Sequence, residues 1–294
     1  MTISGIRRSG NHAIATWLIY HFENIRFFNN YKAKRQRMSD AKERNPEGLV
    51  RPQAQKRPNR PNRPQNLSNR NKRIKTGAKR QRDVFRNNGH RYEGYIKSDG
   101  KLLSLGNKNS DHSQNLEYEF TNEIYGLENY YPHEIEPVSS ELSPDHKIMI
   151  IRDPINNLAS LMKYRSKLLD ISQFKDIWCS YAAEALDQNS EYVIIMYDRW
   201  FTSSEYRREI ESTLGLEHND DGINKVHSTG NGSSFDNMSM QNDAQNMNVL
   251  ERWKEFKDDE DFLEIINNEE MLDLRKKTFG DLPSELDNTL NQSK

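Results

Sequence analysis

The chain has 294 residues, 34% of them hydrophobic, and its 43 Lys/Arg and 44 Asp/Glu give a formal net charge of −1. That length allows one large domain or two small ones, and the polar composition leaves part of the chain without the apolar groups a packed core needs. A single cysteine, Cys179, excludes an internal disulfide and suits a reducing, cytoplasmic setting; no apolar run approaches the roughly 18 residues of a membrane span, and AIATWLIYHF (13–22) has neither the leading flank nor the cleavage site of a signal peptide.

The first element in chain order is a short apolar strand over residues 2–6. GIRRSGNH (5–12) follows, with Gly5 and Gly10 at the G-x-x-x-x-G spacing of a phosphate loop. Asn11 and His12 stand where that loop carries Lys and Ser/Thr. Residues 11–22 place apolar groups at 14, 17, 18 and 22, a helical spacing. Strand, loop and helix together put backbone N–H groups and a helix N-terminus at one strand end, an anion site to which Arg7 and Arg8 add charge. The plainer alternative is a glycine turn before a helix.

Residues 32–91 hold 20 Lys/Arg and 4 Asp/Glu, while the rest of the chain balances to −17. Five of the ten prolines fall there, and RPNRPNRP (57–64) repeats every three residues. Such a composition cannot bury enough surface to offset chain entropy. Residues 33–88 are therefore expected to be a disordered basic insertion of polyproline II character. Its alternatives are a solvated linker and a polyanion contact. No aromatic residue separates Tyr31 from Phe85, so any such contact would rest on salt-sensitive charge attraction rather than base stacking.

NEIYGLEN (122–129) reads as a strand, and HKIMIIRDP (146–154) as a buried parallel strand stopped by Asp-Pro. Residues 156–169 and 172–187 read as helices, EYVIIMYDRW (191–200) as another buried strand, and 248–256 and 259–280 as late helices, the last closing at Gly280. Strands alternating with helices predict an α/β fold: one domain over 1–294 with a central parallel sheet flanked by helices, P-loop-like, interrupted by the insertion. Ligands of such sheets bind at the carboxyl ends of strands. Arg152 lies at one such end and Ser160 eight residues on, with Pro154 near the helix start. A guanidinium and a hydroxyl so placed can converge on one phosphate; the plainer reading is a strand-to-helix turn with an Arg–Asp pair.

These stretches together resemble the sulfotransferases that use 3′-phosphoadenosine 5′-phosphosulfate, over about residues 1–30 and 120–280. RRSGNHA is similar to the family's 5′-phosphosulfate loop, RDPINNLAS to its 3′-phosphate motif, VIIMYDRW to the strand whose Tyr lies near the adenine, and STGNGSSFD (228–236) to a Gly-rich loop over the 3′-phosphate. The resemblance implies donor contacts from Arg7, Arg8, Ser9, Gly10, Asn11, His12, Ala13, Arg152, Ser160, Tyr197, Gly232 and Ser233, with no metal. Arg8 takes the place of the family lysine. Ala13 stands where many members have a stacking Trp, which leaves Trp17 or another aromatic to serve the adenine. The family's base lies at the carboxyl end of the strand preceding the Arg-bearing one, which maps to Glu128, with His12 as the rival. The implied reaction is sulfuryl transfer to a hydroxyl or amine of a small-molecule or glycan acceptor, a hydrophilic one given the polar region 98–145. Two other classes stand beside it: a divergent P-loop kinase or nucleotide hydrolase, and a polyanion-binding protein on an inactive scaffold.

Overall fold

The computed structural model describes residues 1–22, 24–29, 85–87, 90–98, 101–104, 122–142, 144–164, 171–225 and 244–292. All belong to one unit, 1–32 with 84–294; the second unit, 33–83, lies outside the described residues, as does the expected insertion except at 85–87.

The fold is α/β. Strand β1 (Thr2–Gly5) has β6 (Asn122–Glu128) on one side and β7 (Lys147–Ile151) on the other, both parallel to it. β2 (Asn24–Asn29) lies parallel to β6, and β8 (Val193–Met196) parallel to β7. An antiparallel edge continues from β2 through β4 (His90–Ser98), which also pairs β3 (Phe85–Asn87) and β5 (Lys101–Ser104). The path is β3-β4-β2-β6-β1-β7-β8. Two adjacent inner parallel strands are buried almost throughout, TISG in β1 and KIMII in β7, as strands covered on both faces must be.

From β1 the chain crosses to β2, on the far side of β6; from β6 it passes over β1 to reach β7, and from β7 it goes on to β8. The connections diverge at β1, so its carboxyl end is the topological switch point where open α/β sheets hold ligands.

Helix α1 (Asn11–Ile19) follows β1, and its residues 14–19 are all buried, with Ile14, Trp17 and Leu18 packed against Ile3, Ile148 and Ile195. α2 (Pro132–Leu142) precedes β7. α3 (Pro154–Tyr164) starts within two residues of the expected 156, with Pro154 in its first turn and Asp153 capping it: the Asp153 Oδ1 accepts from Ile155 N–H at 3.2 Å. α4 (Ile171–Leu186) packs on a later helix, α8 (Glu269–Phe279), with Trp178 and Phe279 rings 6.4 Å apart.

Several boundaries differ from the sequence expectation. The strand expected over 191–200 ends at Met196, and α5 (Tyr197–Thr202) begins at once. Tyr206, on α6 (Ser204–Thr213), pins this change: its hydroxyl accepts from Met196 N–H and donates to Ile194 O, closing the strand from below. The helix expected over 248–256 shrinks to a 3-10 turn, Arg252–Glu255, because the adjacent Arg252 and Trp253 are both drawn inward. The helix expected over 259–280 divides into α7 (Glu260–Ile266) and α8, since the Asn268 side chain accepts from Met271 N–H at 3.1 Å and starts a new helix. The insertion is shorter than expected at its end, because 85–87 pair with β4 as β3. β2, β4, β5, α2, α6 and α9 (Ser284–Gln292) were not anticipated.

Candidate functional site

The loop Ile6–Gly10 sits at the switch point. Two of its residues have left-handed backbone, Arg8 at φ 68° and Gly10 at φ 102°. Gly10 is the N-cap of α1 and offers no side-chain cap, and within the first turn Ala13 N–H donates to Gly10 O at 2.9 Å. A Cβ on Gly10 would fall 2.1 Å from the Tyr197 ring, so glycine is required both by conformation and by the ring beneath it.

The loop's carbonyls are held from outside. Arg152 donates to Arg8 O at 3.0 Å and to Val249 O, and Asn157 Nδ2 donates to Arg7 O at 3.0 Å. Arg7 N–H donates to Asn129 Oδ1 at 2.8 Å, and Asn129 is itself left-handed at φ 63°. The Arg152 and Asn157 braces satisfy the carbonyls of Arg8 and Arg7 from outside the loop, while Ser9 N–H donates to Ile6 O at 3.0 Å within it. The Arg8 conformation costs about 1–2 kcal/mol for a residue with a Cβ, and the Arg152 bond to its carbonyl is the contact that opposes that cost.

The side chains of Ser9 and Asn11 brace the loop as well: the buried Ser9 hydroxyl donates to Asn11 Oδ1 at 2.7 Å, and Asn11 Nδ2 faces Gly5 O, Ile6 O and Glu128 Oε1 at 3.4–3.5 Å. Their side chains therefore reach the loop, and their backbone groups remain the means of contact with an anion. Glu128 is brought to the same place by register, because β6 sets it opposite Gly5. Its carboxylate is 9% exposed and 3.9 Å from Arg7 Nε. His12 and Ala13 lie in the first turn of α1, both half-buried.

Arg152 is 2% exposed and stacks 4.9 Å above the Tyr197 ring; its Nε makes no hydrogen bond among the described residues, which leaves the guanidinium one unspent donor. Tyr197 is 6% exposed and forms a floor under Gly10 and Arg152. Ser160 is fully buried two turns into α3, and its hydroxyl accepts from Arg252 Nη1 at 3.0 Å. Arg152 and Ser160 thus take different partners: the Ser160 hydroxyl serves Arg252, while Arg152 holds Val249 O in the segment 249–252, which Asn156 Nδ2 ties down through Leu250 O at 2.9 Å. Gly232 and Ser233 lie outside the described residues.

Trp17 does not serve the adenine role left open for it. It is buried in the core, donates to Asn219 O at 3.0 Å and meets Trp200 edge-on. An indole on the inner face of a buried helix has no route to a ligand at the helix N-terminus.

Four residues at the site escaped the sequence reading. Asn129, Asn157 and Arg252 lie next to or inside stretches already singled out, but nothing in their spacing marks them. Asp198 is the fourth. Its Oδ2 accepts from Asp153 N–H at 2.9 Å, and burial pushes its carboxyl up to about 6, against the pull of Arg152. Asp153 itself is clamped by Arg275 through both oxygens, at 3.0 and 2.7 Å. The site is therefore a cationic loop and helix start, backed by a second layer of paired charges, with one carboxylate, Glu128, at its rim. Such an arrangement can bind an anionic group without a metal and offer a proton acceptor beside it.

No family model, curated protein or solved structure matches the chain.

Proposed function

We propose that the chain transfers a sulfuryl group from 3′-phosphoadenosine 5′-phosphosulfate to a hydroxyl or amine of a hydrophilic, carbohydrate-like acceptor. The observation that carries this reading is the bond from Arg152 to Arg8 O, which joins two motifs 144 residues apart at the switch point of the sheet. A transferring sulfuryl group carries about one negative charge, against about four on a nucleoside triphosphate, so backbone N–H groups and a guanidinium offset it without magnesium. This accounts for a phosphate-type loop with neither its lysine nor its hydroxyl.

In the proposed reaction the phosphosulfate lies on the α1 N-terminus and Arg8, and the 3′-phosphate lies toward Arg152, Ser160 and Arg252. Glu128 takes the proton of the acceptor as its oxygen or nitrogen attacks sulfur in line. The bridging S–O bond breaks, its electron pair leaves with adenosine 3′,5′-bisphosphate, and Arg8 steadies that oxygen. Tyr197 supports the loop in this scheme rather than covering the base. A cytoplasmic setting agrees with the lone Cys179, whose thiol burial pushes up to about 12 and so keeps protonated. Among the described residues no helix is long and apolar enough to cross a membrane.

Calorimetric titration with adenosine 3′,5′-bisphosphate and with AMP tests the donor. One charge-assisted contact is worth about 1.5–3 kcal/mol, so the bisphosphate is expected to bind at least tenfold more tightly than AMP, and Arg152→Ala to remove most of that difference. Equal affinity for the two nucleotides in the unsubstituted chain overturns the reading.

A further inference from the structure

The far end of α1 carries a second cluster of side chains that the donor reading does not use. Glu211, in the last turn of α6, is 1% exposed. Its Oε2 lies 2.7 Å from His218 Nδ1; its Oε1 lies 3.3 Å from His21 Nε2 and accepts from Asn219 N–H at 3.0 Å. Asp220 completes the group, and one donor atom each from Glu211, His218 and Asp220 lies within 4.8 Å of the other two. A cavity of about 530 Å³ opens beside them, lined by His21, Gly215, His218 and Asp220 among others.

A buried carboxylate needs a positive counterpart. Arg207 is turned away from this task, because its Nε and Nη2 hold both oxygens of Asp220 at 2.7 and 2.8 Å. Glu211 instead meets two imidazoles, His218 and His21, and a divalent cation held beside it supplies the positive charge that Arg207 does not. Two helices, α1 and α6, also end here, and helix carboxyl ends favour cations.

We infer that Glu211, His218 and Asp220 form a divalent metal site of zinc type, with its remaining coordination positions facing the cavity. Two carboxylates and an imidazole are the donors of borderline first-row metals rather than of magnesium, which keeps to oxygen. Tetrahedral zinc sets its donor atoms about 3.3 Å apart, a spacing that side-chain rotation reaches from the present one. On binding, His218 turns the Nδ1 lone pair to the metal and carries its hydrogen on Nε2. Asp220 keeps its pair with Arg207 and ligates through a second lone pair of one oxygen. Asn219 N–H holds the opposite oxygen of Glu211, with His21 Nε2 3.3 Å from it, the usual second layer around a ligating carboxylate. The loop is already fixed: Asn219 Nδ2 donates to Tyr20 O at 3.0 Å, Asn219 O accepts from Trp17 Nε1 at 3.0 Å, and Asp221 N–H donates to Asn219 Oδ1 at 2.8 Å. The site lies the length of α1 away from the phosphate-type loop, about 14 Å for nine residues, and stands independently of the donor reading.

The full chain, stripped with a chelator, is titrated with Zn²⁺ and separately with Mg²⁺ by calorimetry. One saturating Zn²⁺ site per chain is expected, with Mg²⁺ at least a hundredfold weaker. His218→Ala and Asp220→Asn should each weaken Zn²⁺ at least tenfold and abolish the rise in melting temperature that Zn²⁺ gives the unsubstituted chain. The His218 side chain is 38% exposed, so its loss leaves the core intact; His218→Gln, which keeps a donor toward Glu211, replaces it if the alanine variant does not fold. Absence of saturable Zn²⁺ binding, or binding that both substitutions leave unchanged, overturns the assignment.

Discussion

The two ends of helix α1 differ in almost every chemical respect. At its start stand Arg7, Arg8 and Arg152, a left-handed loop and no side-chain cap. Past its end stand Glu211, Asp220, His21 and His218 around a cavity. The backbone dipole explains the polarity of the division: anions are favoured at the first turn and cations at the last. Side chains then reinforce each end. Arg152 and Asn157 hold the Arg8 and Arg7 carbonyls at one end; imidazoles and carboxylates collect at the other. One buried helix thus separates two side-chain clusters of different charge.

The largest expected effect breaks the comparison at the loop end. Glu128→Gln should lower turnover by about 10²–10⁴, the usual loss for a general base, while leaving bisphosphate affinity unchanged. If Glu128→Gln turns over normally and His12→Ala binds donor but is inactive, the base is His12. A stability difference comes next, because each end has a glycine with positive φ. Gly10→Ala meets the Tyr197 ring as well as backbone strain and should cost about 2–5 kcal/mol. Gly215→Ala, at φ 68° with nothing within 4 Å, should cost about 1 kcal/mol. Equal melting-temperature losses would show that the ring contact is soft.

A smaller effect separates the ends by pH. The Asp198 carboxyl is raised from 3.8 to about 6, so its charged form is disfavoured in the folded chain. Below the unfolded value the carboxyl is neutral in both states and imposes no penalty; the penalty grows as pH rises toward 6 and is complete above it. Asp198→Asn keeps an acceptor for Asp153 N–H and should flatten the fall in melting temperature across that window. A fall of unchanged steepness would place its source elsewhere. The smallest expected effect is none at all. Both ends are built from residues outside 33–83, and Asn29 and Arg86 both pair with Arg91 from opposite sides, which places them about 10 Å apart, two strand spacings. Replacing 33–83 by a short Gly/Ser linker should leave bisphosphate and Zn²⁺ affinities as they were, and a loss at either end would show that the basic segment contributes to it.

The parallel sheet was legible because β7 and β8 are continuous apolar runs, and the loop because glycine spacing and two arginines mark a strand-to-helix turn. Pro154 after Asp153 marked the start of α3 to within two residues of the expected 156. What stayed hidden depends on long-range contacts. Met196 ends its strand because of a tyrosine ten residues on, and Arg252 and Trp253 stop a helix because both are drawn inward. At the site, Arg152 and Ser160 were recognisable by spacing, yet neither that spacing nor their chemistry revealed that the Arg152 guanidinium would hold Arg8 O and Val249 O, or that Ser160 would receive Arg252. Around Glu211, His218 and Asp220 lie close in sequence, but nothing local announces His21, which reaches Glu211 from just past the end of α1, nearly two hundred positions earlier.

The position of β1 between β6 and β7 sets a timetable for synthesis. This strand and its loop leave the ribosome before their sheet partners, which follow more than a hundred residues later, on the order of ten seconds at ordinary elongation rates. The last brace, Val249, is translated after nearly all the others. Throughout that interval a buried-type helix and an unpaired apolar strand are exposed together on the nascent chain. Slowing translation between β1 and β7 therefore lengthens the period in which the growing polypeptide is open to aggregation, and chaperone capture of early nascent chains should be strongest before residue 151 emerges.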